Sequence, residues 1–399
     1  MPFFPVTSNT LLGLLAAYAV TVTCFGTVAL FWVTRRPKNV PDHTPPVSVL
    51  KPIKGLDEDL EENLRSFFRL DYPVYELVFG IADADDPAIG VVQRLIAEFP
   101  GRDARLVIGH PAFGLNPKVE NLAAIDRVRK YSTLLISDSN VRVRPSYLRE
   151  TACYLADPRV GLVTNLFAGV GEQHTGAVLE NLQLNGFIAG GVAIASVLGV
   201  TCVIGKSMLI PAAALDAAGG FAGVRNILAE DQVLGVRIRK AGYRIKLSPH
   251  VIDNVNHGRG FRWFLNRHSR WFKIRRQMAF GAFLSEPLTN LSTLGLIWAL
   301  SGESGIAWTG LLCLVGLGAV RDGVQSVRLR GSMPKVRHLM LGPLKDLLLL
   351  PVWLDAILNR HVQWRGHEFV VGRLTRLRSD RASRSVRQRV RRVRWFRAH

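Results

Sequence analysis

Hydrophobic positions along the chain follow two patterns, and the change from one to the other divides the molecule. From Leu11 to Val33 no residue is charged. As an α-helix this run is about 35 Å long, enough to cross a bilayer. Arg35, Arg36 and Lys38 follow at once. Basic residues flank the cytoplasmic end of a span, so the N-terminus is expected outside and the following chain in the cytoplasm. The run is too long, and lacks the basic leader, for a cleaved signal peptide, so it reads as an uncleaved anchor. Pro37 to Pro46 reads as an extended, Pro-rich linker.

Beyond Pro46 the apolar runs shorten. Val47 to Leu50, Tyr75 to Ile81, Arg105 to Ile108 and Thr133 to Ile136 predict buried strands. Asp59 to Leu70, Val91 to Phe99 and Lys118 to Lys130 predict the helices between them. Alternation at this spacing predicts a parallel, doubly wound α/β sheet. Further strands are expected at Val160 to Thr164, Val200 to Ile204 and Arg244 to Leu247, with helices over Pro211 to Ala218 and Glu230 to Lys240.

The long apolar pattern then returns. Leu288 to Leu300 and Ile306 to Val320, broken by a Ser/Gly segment, predict a membrane hairpin. Arg321, Arg328, Arg330, Lys335 and Arg337 mark the return to the cytoplasm. Leu339 to Leu358 carries Lys345 and Asp346 near its middle. An interfacial placement is favoured, because spanning would put the Arg-rich end outside, against the charge rule. The resulting division is an anchor at 1–36, a linker at 37–46, a catalytic domain at 47–260, a basic-aromatic interfacial helix at 261–284, membrane segments at 285–358 and an Arg-rich cytoplasmic tail at 359–399.

Charge changes this picture only in its partners. The formal net charge is +20 over 399 residues, which implies a polyanionic partner. Gly372 to His399 holds 11 Arg against one acid, Asp380, so half of the excess sits there. With apolar runs beside it, this segment suits anionic lipid better than nucleic acid, which is not expected as a partner. Arg outnumbers Lys 40 to 11, which points to a GC-rich bacterial genome and hence to an inner-membrane protein. Cys24, Cys153, Cys202 and Cys313 are not at metal-ligand spacing and read as buried thiols.

The candidate chemistry lies at strand ends, where open α/β sheets bind ligands. Asp83, Asp85 and Asp86 follow the second strand and Asp138 the fourth. A carboxylate at such a tip suits a divalent cation bridging a diphosphate. Glu230-Asp231 opens a helix, where the dipole favours an ionised carboxylate suited to base work; simple capping would explain it equally well. From Phe261 to Phe283, aromatic residues interleave with Arg and Lys, suiting a membrane surface beside a bound anion.

These residues also form an ordered set of motifs. Leu50-Lys-Pro-Ile-Lys-Gly55, Asp85-Asp-Pro-Ala-Ile89, Asn116-Pro-Lys118, Asp138-Ser139, Cys202-Val-Ile-Gly205, Ala229-Glu-Asp231, Arg267-His-Ser-Arg-Trp271 and Trp364-Arg-Gly366 occur in one order over nearly the whole length. In this the chain resembles the ceramide glucosyltransferases, membrane-anchored inverting glycosyltransferases of the GT-A fold. The resemblance implies a mixed, mostly parallel sheet and transfer of glucose from UDP-glucose to ceramide or a similar lipid alcohol. It implies Asp231 as general base with Glu230 as a catalytic partner, and Asp138 as the metal and diphosphate position for Mg2+ or Mn2+. Lys51, Asp83, Asp86, Lys118, Asp138, Arg267, Arg270 and Trp271 would contact the nucleotide-sugar, and Cys202 and Trp271 would line the acceptor side. The second motif here is Asp-Ser-Asn rather than D-x-D. Alternatives are a hopanoid-type lipid transferase using UDP-GlcNAc and a processive polysaccharide synthase, which needs more spans. A membrane-tethered polyanion binder leaves the strand-end acids without a purpose.

Overall fold

The computed structural model describes residues 8–37, 41–109, 113–301 and 305–379. Eight strands form one sheet, in spatial order Ala104–Ile108, Tyr75–Ile81, Val47–Ile53, Thr133–Ser137, Ser207–Pro211, Val160–Val170, Arg244–Val255 and Val141–Arg142. Four of these strands make its parallel half: β1 (Val47–Ile53), β2 (Tyr75–Ile81), β3 (Ala104–Ile108) and β4 (Thr133–Ser137). Every residue of β1 and β2 is buried, which is why these strands read as continuous apolar runs rather than alternating ones.

The other half is mixed, as the resemblance implied, where strand–helix alternation alone predicted parallel pairing. β7 (Ser207–Pro211) runs antiparallel to both β4 and β6 (Val160–Val170). β8 (Arg244–Val255) pairs in parallel with β6, and the short β5 (Val141–Arg142) lies antiparallel on β8. The strand expected over Val200 to Ile204 is absent from the described residues. Backbone groups of that segment are taken by side chains instead: Gln232 accepts from the Val203 amide at 2.9 Å and donates to the Thr201 carbonyl at 2.7 Å. A ladder has nothing left to pair with there, and the strand forms three residues later.

The order of β4 and β7 is what builds the site. Ser137, the last residue of β4, is paired with Ser207, the first of β7. The next residue out on one strand is Asp138 and on the other Lys206, so antiparallel pairing puts an acid and a base at the same sheet edge.

Three helical stretches are long and apolar enough to cross a membrane: Asn9–Val33, Thr175–Val197 and Gly305–Arg330. The first lies within α1 (Ser8–Val33). The second, not expected from the sequence, joins two α-helical pieces through a π-helical turn at Leu184–Ile188. The expected hairpin is made by Leu291–Ser301 and Gly305–Arg330. The last apolar run forms the 17-residue helix Gly342–Leu358. Its Lys345 is fully buried, with Nζ 3.0 Å from Asp322 on the preceding long helix. That pairing, rather than an exposed cationic face, explains the charged residues in an apolar run.

The chain from 359 onward is not simply a tail. β9 (His361–Trp364), β10 (His367–Val371) and β11 (Leu377–Ser379) form an antiparallel sheet. Val362, Phe369, Val371 and Leu377 bury against Leu228, and backbone bonds from Leu377 to Asn226 and from Leu228 to Thr375 tie the sheet to the segment before Glu230. Residues 380–399, with most of the Arg assigned to anionic lipid, lie outside the described residues.

Candidate active site

Asn116 explains why Lys118 points into the site. Its side chain accepts from the Lys118 and Val119 amides at 3.0 and 3.1 Å, capping α2 (Pro117–Asp126) with Pro117 in the first turn. The Lys118 ammonium then lies 2.9 Å from Asp138 Oδ1, 3.0 Å from Glu230 Oε1 and 3.2 Å from the Gly205 carbonyl. Lys206 reaches the other oxygen of Asp138 at 3.4 Å and donates to Asn140 Oδ1 at 2.7 Å. Lys51, fully buried on β1, donates to the Asp138 carbonyl at 2.7 Å and sits 3.7 Å above the Phe67 ring. Three lysines therefore converge on one aspartate at the sheet edge.

These contacts set the charges. Burial alone would raise the pKa of Asp138, but Lys118 and Lys206 outweigh it and hold the carboxyl well below its ordinary value. Burial lowers Lys206, and despite Asp138 its pKa falls to about 8. Burial also lowers Lys51 well below the usual lysine range. Lys118 goes the other way: burial opposes its charge, yet Asp138 and Glu230 raise it above the lysine range.

Asp231 stands in the first turn of α3 (Glu230–Lys240). Its Oδ2 accepts from the Gly205 amide at 2.9 Å and its Oδ1 from the Gln232 amide at 2.7 Å. Burial and the neighbouring Glu230 carboxylate push its pKa up to about 7, with Lys118 opposing. Glu230 is held by Lys118 and by Asn116 Nδ2 at 3.3 Å, which ties the start of α3 to the start of α2. Burial and Asp231 keep the nearby Cys202 thiol neutral, with its pKa raised to about 11.

The basic-aromatic run forms α4 (Phe261–Met278). One face of it is buried in protein, through Phe264, Arg267, His268, Phe272 and Lys273. Arg267, expected on the donor, is 3.2 Å from Glu180 Oε1 and lies between the Trp263 and Trp271 rings. His268 takes the other Glu180 oxygen at 2.9 Å. These contacts seat the helix. Arg270 instead faces the ring of Trp364, 5.9 Å from its centroid, and burial together with Arg267 and Arg365 lowers its pKa to about 10. Trp271 packs partly buried against the main core.

Asp86 has a positioning role. Its Oδ2 accepts from the Gly55 amide at 2.8 Å, where φ is +68°, and its Oδ1 from the Ala88 amide at 2.9 Å. Asp83 is exposed and accepts from the Asp85 amide at 3.1 Å. Neither joins the lysine cluster through a direct contact among the described residues.

Two features escaped sequence reasoning. Lys206 follows a motif but carries no periodic or spacing signal, and only the β4–β7 register reveals it. The turn Trp364-Arg-Gly366 folds back so that the Arg365 carbonyl accepts from Lys54 at 3.0 Å. It thereby brings Trp364 to Arg270. The motif was visible, but its Arg-rich setting disguised a folded sheet.

These side chains do not by themselves make a metal cage. Both oxygens of Asp138 face ammonium groups, and the second motif position is Asn140, bonded to Lys206. No group of three His, Cys, Asp or Glu side chains placed to hold a metal occurs among the described residues. The cluster instead presents fixed positive charge to an anion.

The model of glycosyl transferase family 21 matches residues 14–377. Ceramide glucosyltransferase 3 of Caenorhabditis elegans is 30% identical over 335 residues, covering 82% of this chain and 72% of the relative. Ceramide glucosyltransferase 1 of the same organism is 29% identical, covering 87% and 76%. The Komagataella phaffii ceramide glucosyltransferase is 25% identical and covers 84% of each. Among solved structures, the mannosyltransferase PcManGT of Pyrobaculum calidifontis is similar with a TM-score of 0.46 at 16% identity, over 86% of this chain and 99% of that one. The match runs from within α1, through the whole eight-stranded sheet, to the first residue of β11: the chain belongs to glycosyl transferase family 21.

Proposed function

We propose that this membrane-associated glycosyltransferase moves glucose from UDP-glucose to the hydroxyl of ceramide, with inversion, at the cytoplasmic face of the membrane. The observation that carries the reading is a raised-pKa carboxylate, Asp231, joined to Lys118 of the lysine cluster across Gly205, whose amide donates to Asp231 and whose carbonyl accepts from Lys118. A lipid hydroxyl is too weak an acid to attack an anomeric carbon unaided. Asp231 accepts its proton as the new C–O bond forms, a contribution of roughly 10²–10⁴-fold. The bond from the anomeric carbon to the diphosphate breaks in the same step, and UDP leaves with the electron pair. Lys118 and Lys206 stabilise that departing charge, with Arg270 assisting from α4. A single displacement inverts the anomeric configuration.

The relatives' names support ceramide and glucose as the acceptor and sugar. The test is to incubate membranes carrying the protein with labelled UDP-glucose or UDP-GlcNAc and with ceramide or hopanoid acceptors. Glucosylceramide as the main labelled lipid is the expected product. A hopanoid product labelled from UDP-GlcNAc would replace the substrate assignment while keeping the chemistry.

A further inference from the structure

The helix and loop from Ala189 to Val200 were assigned no role by the sequence, and the site chemistry above does not use them. α5 (Ala189–Val197) is clamped by two of the apolar helices that are candidate spans. On one side it meets α1 at Gly26, where an added Cβ would lie 3.5 Å from Gly190 Cα and 3.3 Å from Ile194 Cδ1. Close backbone approach at paired glycines is a packing mode of helices in lipid. At the same glycine, Gln325 of Gly305–Arg330 lies against Gly190, and its side-chain oxygen accepts from Thr27 Oγ1 of α1 at 2.8 Å.

These contacts fix a depth. Gly26 is seven residues before Val33, about 10 Å along the axis from the charged end of α1. With a hydrocarbon layer of about 30 Å, whatever packs on Gly26 is inside it. The end of α5 then turns through Gly199 at φ +68° and exposes Val197, Leu198 and Val200, at 45%, 64% and 57% of their surface. Three neighbouring apolar side chains at the tip of one loop, continuous with helices of spanning character, match acyl chains rather than water.

The far side of the same loop is strapped to the catalytic helix. Arg239 donates to the Gly199 carbonyl and, at 3.1 Å, to Thr201 Oγ1. Gln232 holds Thr201 and Val203, and Asp231 holds Gly205. Four residues thus separate a lipid-facing tip from the amide bonded to the base.

We propose that Ala189–Val200 is embedded in the bilayer and that its Val197–Val200 tip contacts lipid acyl chains, so that the acceptor reaches Asp231 from within the membrane along this loop. The route rests on the lipid-acceptor reading above; the depth does not.

The test keeps the two apart. Full-length protein with Leu198→Cys, and with the exposed Cys24 and Cys313 replaced by Ala, is labelled with an environment-sensitive fluorophore and reconstituted in phosphatidylcholine vesicles. A second protein carries the label at Arg94→Cys, exposed on the helix after β2. Nitroxide placed at mid-acyl chain should quench the Leu198 label and iodide the Arg94 label. Quenching of the Leu198 label by iodide rather than by lipid nitroxide would overturn the embedding, whatever the enzyme transfers. Leu198→Asp with Val200→Asp should then lower transfer to long-chain ceramide in vesicles by about tenfold or more. Transfer to a water-soluble short-chain ceramide should stay within about twofold of wild type. An equal fall on both acceptors would overturn the route, and a wild type inactive on both would overturn the acceptor assignment alone.

Discussion

The Gly205 amide donates to Asp231 Oδ2 at 2.9 Å, and a Cβ at Gly205 would stand only 2.4 Å from that same oxygen. Glycine is required here for close approach rather than for an unusual backbone angle. Gly205→Ala must therefore move the carboxylate or the loop. Because a displacement of about 1 Å costs on the order of 10²-fold, the rate of transfer should fall by that order. UDP binding, measured separately by titration, should change little.

Asp231→Asn should lower kcat by roughly 10²–10⁴-fold. It should also stabilise the fold at pH 8. The folded-state pKa of Asp231 is raised from an ordinary carboxylate value to about 7. Its contribution to stability is therefore present below the ordinary value and is lost as pH rises through 7. Thermal melts should show the variant more stable than wild type at pH 8, with the difference vanishing toward pH 4. A variant less stable than wild type at pH 8 would contradict the assigned environment.

Lys206→Met should raise the KM for the sugar donor about tenfold or more, since a charge-assisted contact to the diphosphate is worth about 1.5–3 kcal/mol. Wild-type kcat/KM should be bell-shaped in pH. It rises as Asp231 deprotonates near 7 and falls as Lys206 loses its proton near 8. In Lys206→Met the alkaline limb should move to higher pH. Because Asp138 is already paired with two lysines, a chelator should leave most of the wild-type rate intact.

Trp364→Ala removes the ring facing Arg270. A cation–π contact of about 0.5–2 kcal/mol corresponds to a loss of up to some thirtyfold in transfer. The fold should persist, because the C-terminal sheet keeps Val362, Phe369, Val371 and Leu377 buried. Unchanged kinetics would remove this sheet from the site.

Sequence patterns made the parallel half of the sheet legible because buried strands leave continuous apolar runs, and Tyr75 to Ile81 coincides with β2. Glu230 to Lys240 coincides with its helix because its start and its glycine stop are local signals. What depended on long-range pairing was not legible. β8 continues through Pro249, a residue that ordinarily ends a strand. Val200 to Ile204 has the composition of a strand, but its backbone is claimed by the side chains of Gln232 and Thr164. Lys206 enters the site only because Ser137 and Ser207 are in register. The C-terminal sheet was hidden by arginines whose contacts lie more than a hundred residues away, as Arg365 does with Lys54.

The most direct measurement is the lipid product formed by membranes carrying wild-type or Asp231→Asn protein, supplied with labelled UDP-glucose and ceramide. Labelled glucosylceramide from wild type, and about 1% of it or less from a variant that still binds UDP, is the predicted result. A variant as active as wild type, or a wild type that labels no lipid from any donor and acceptor pairing, would contradict the account.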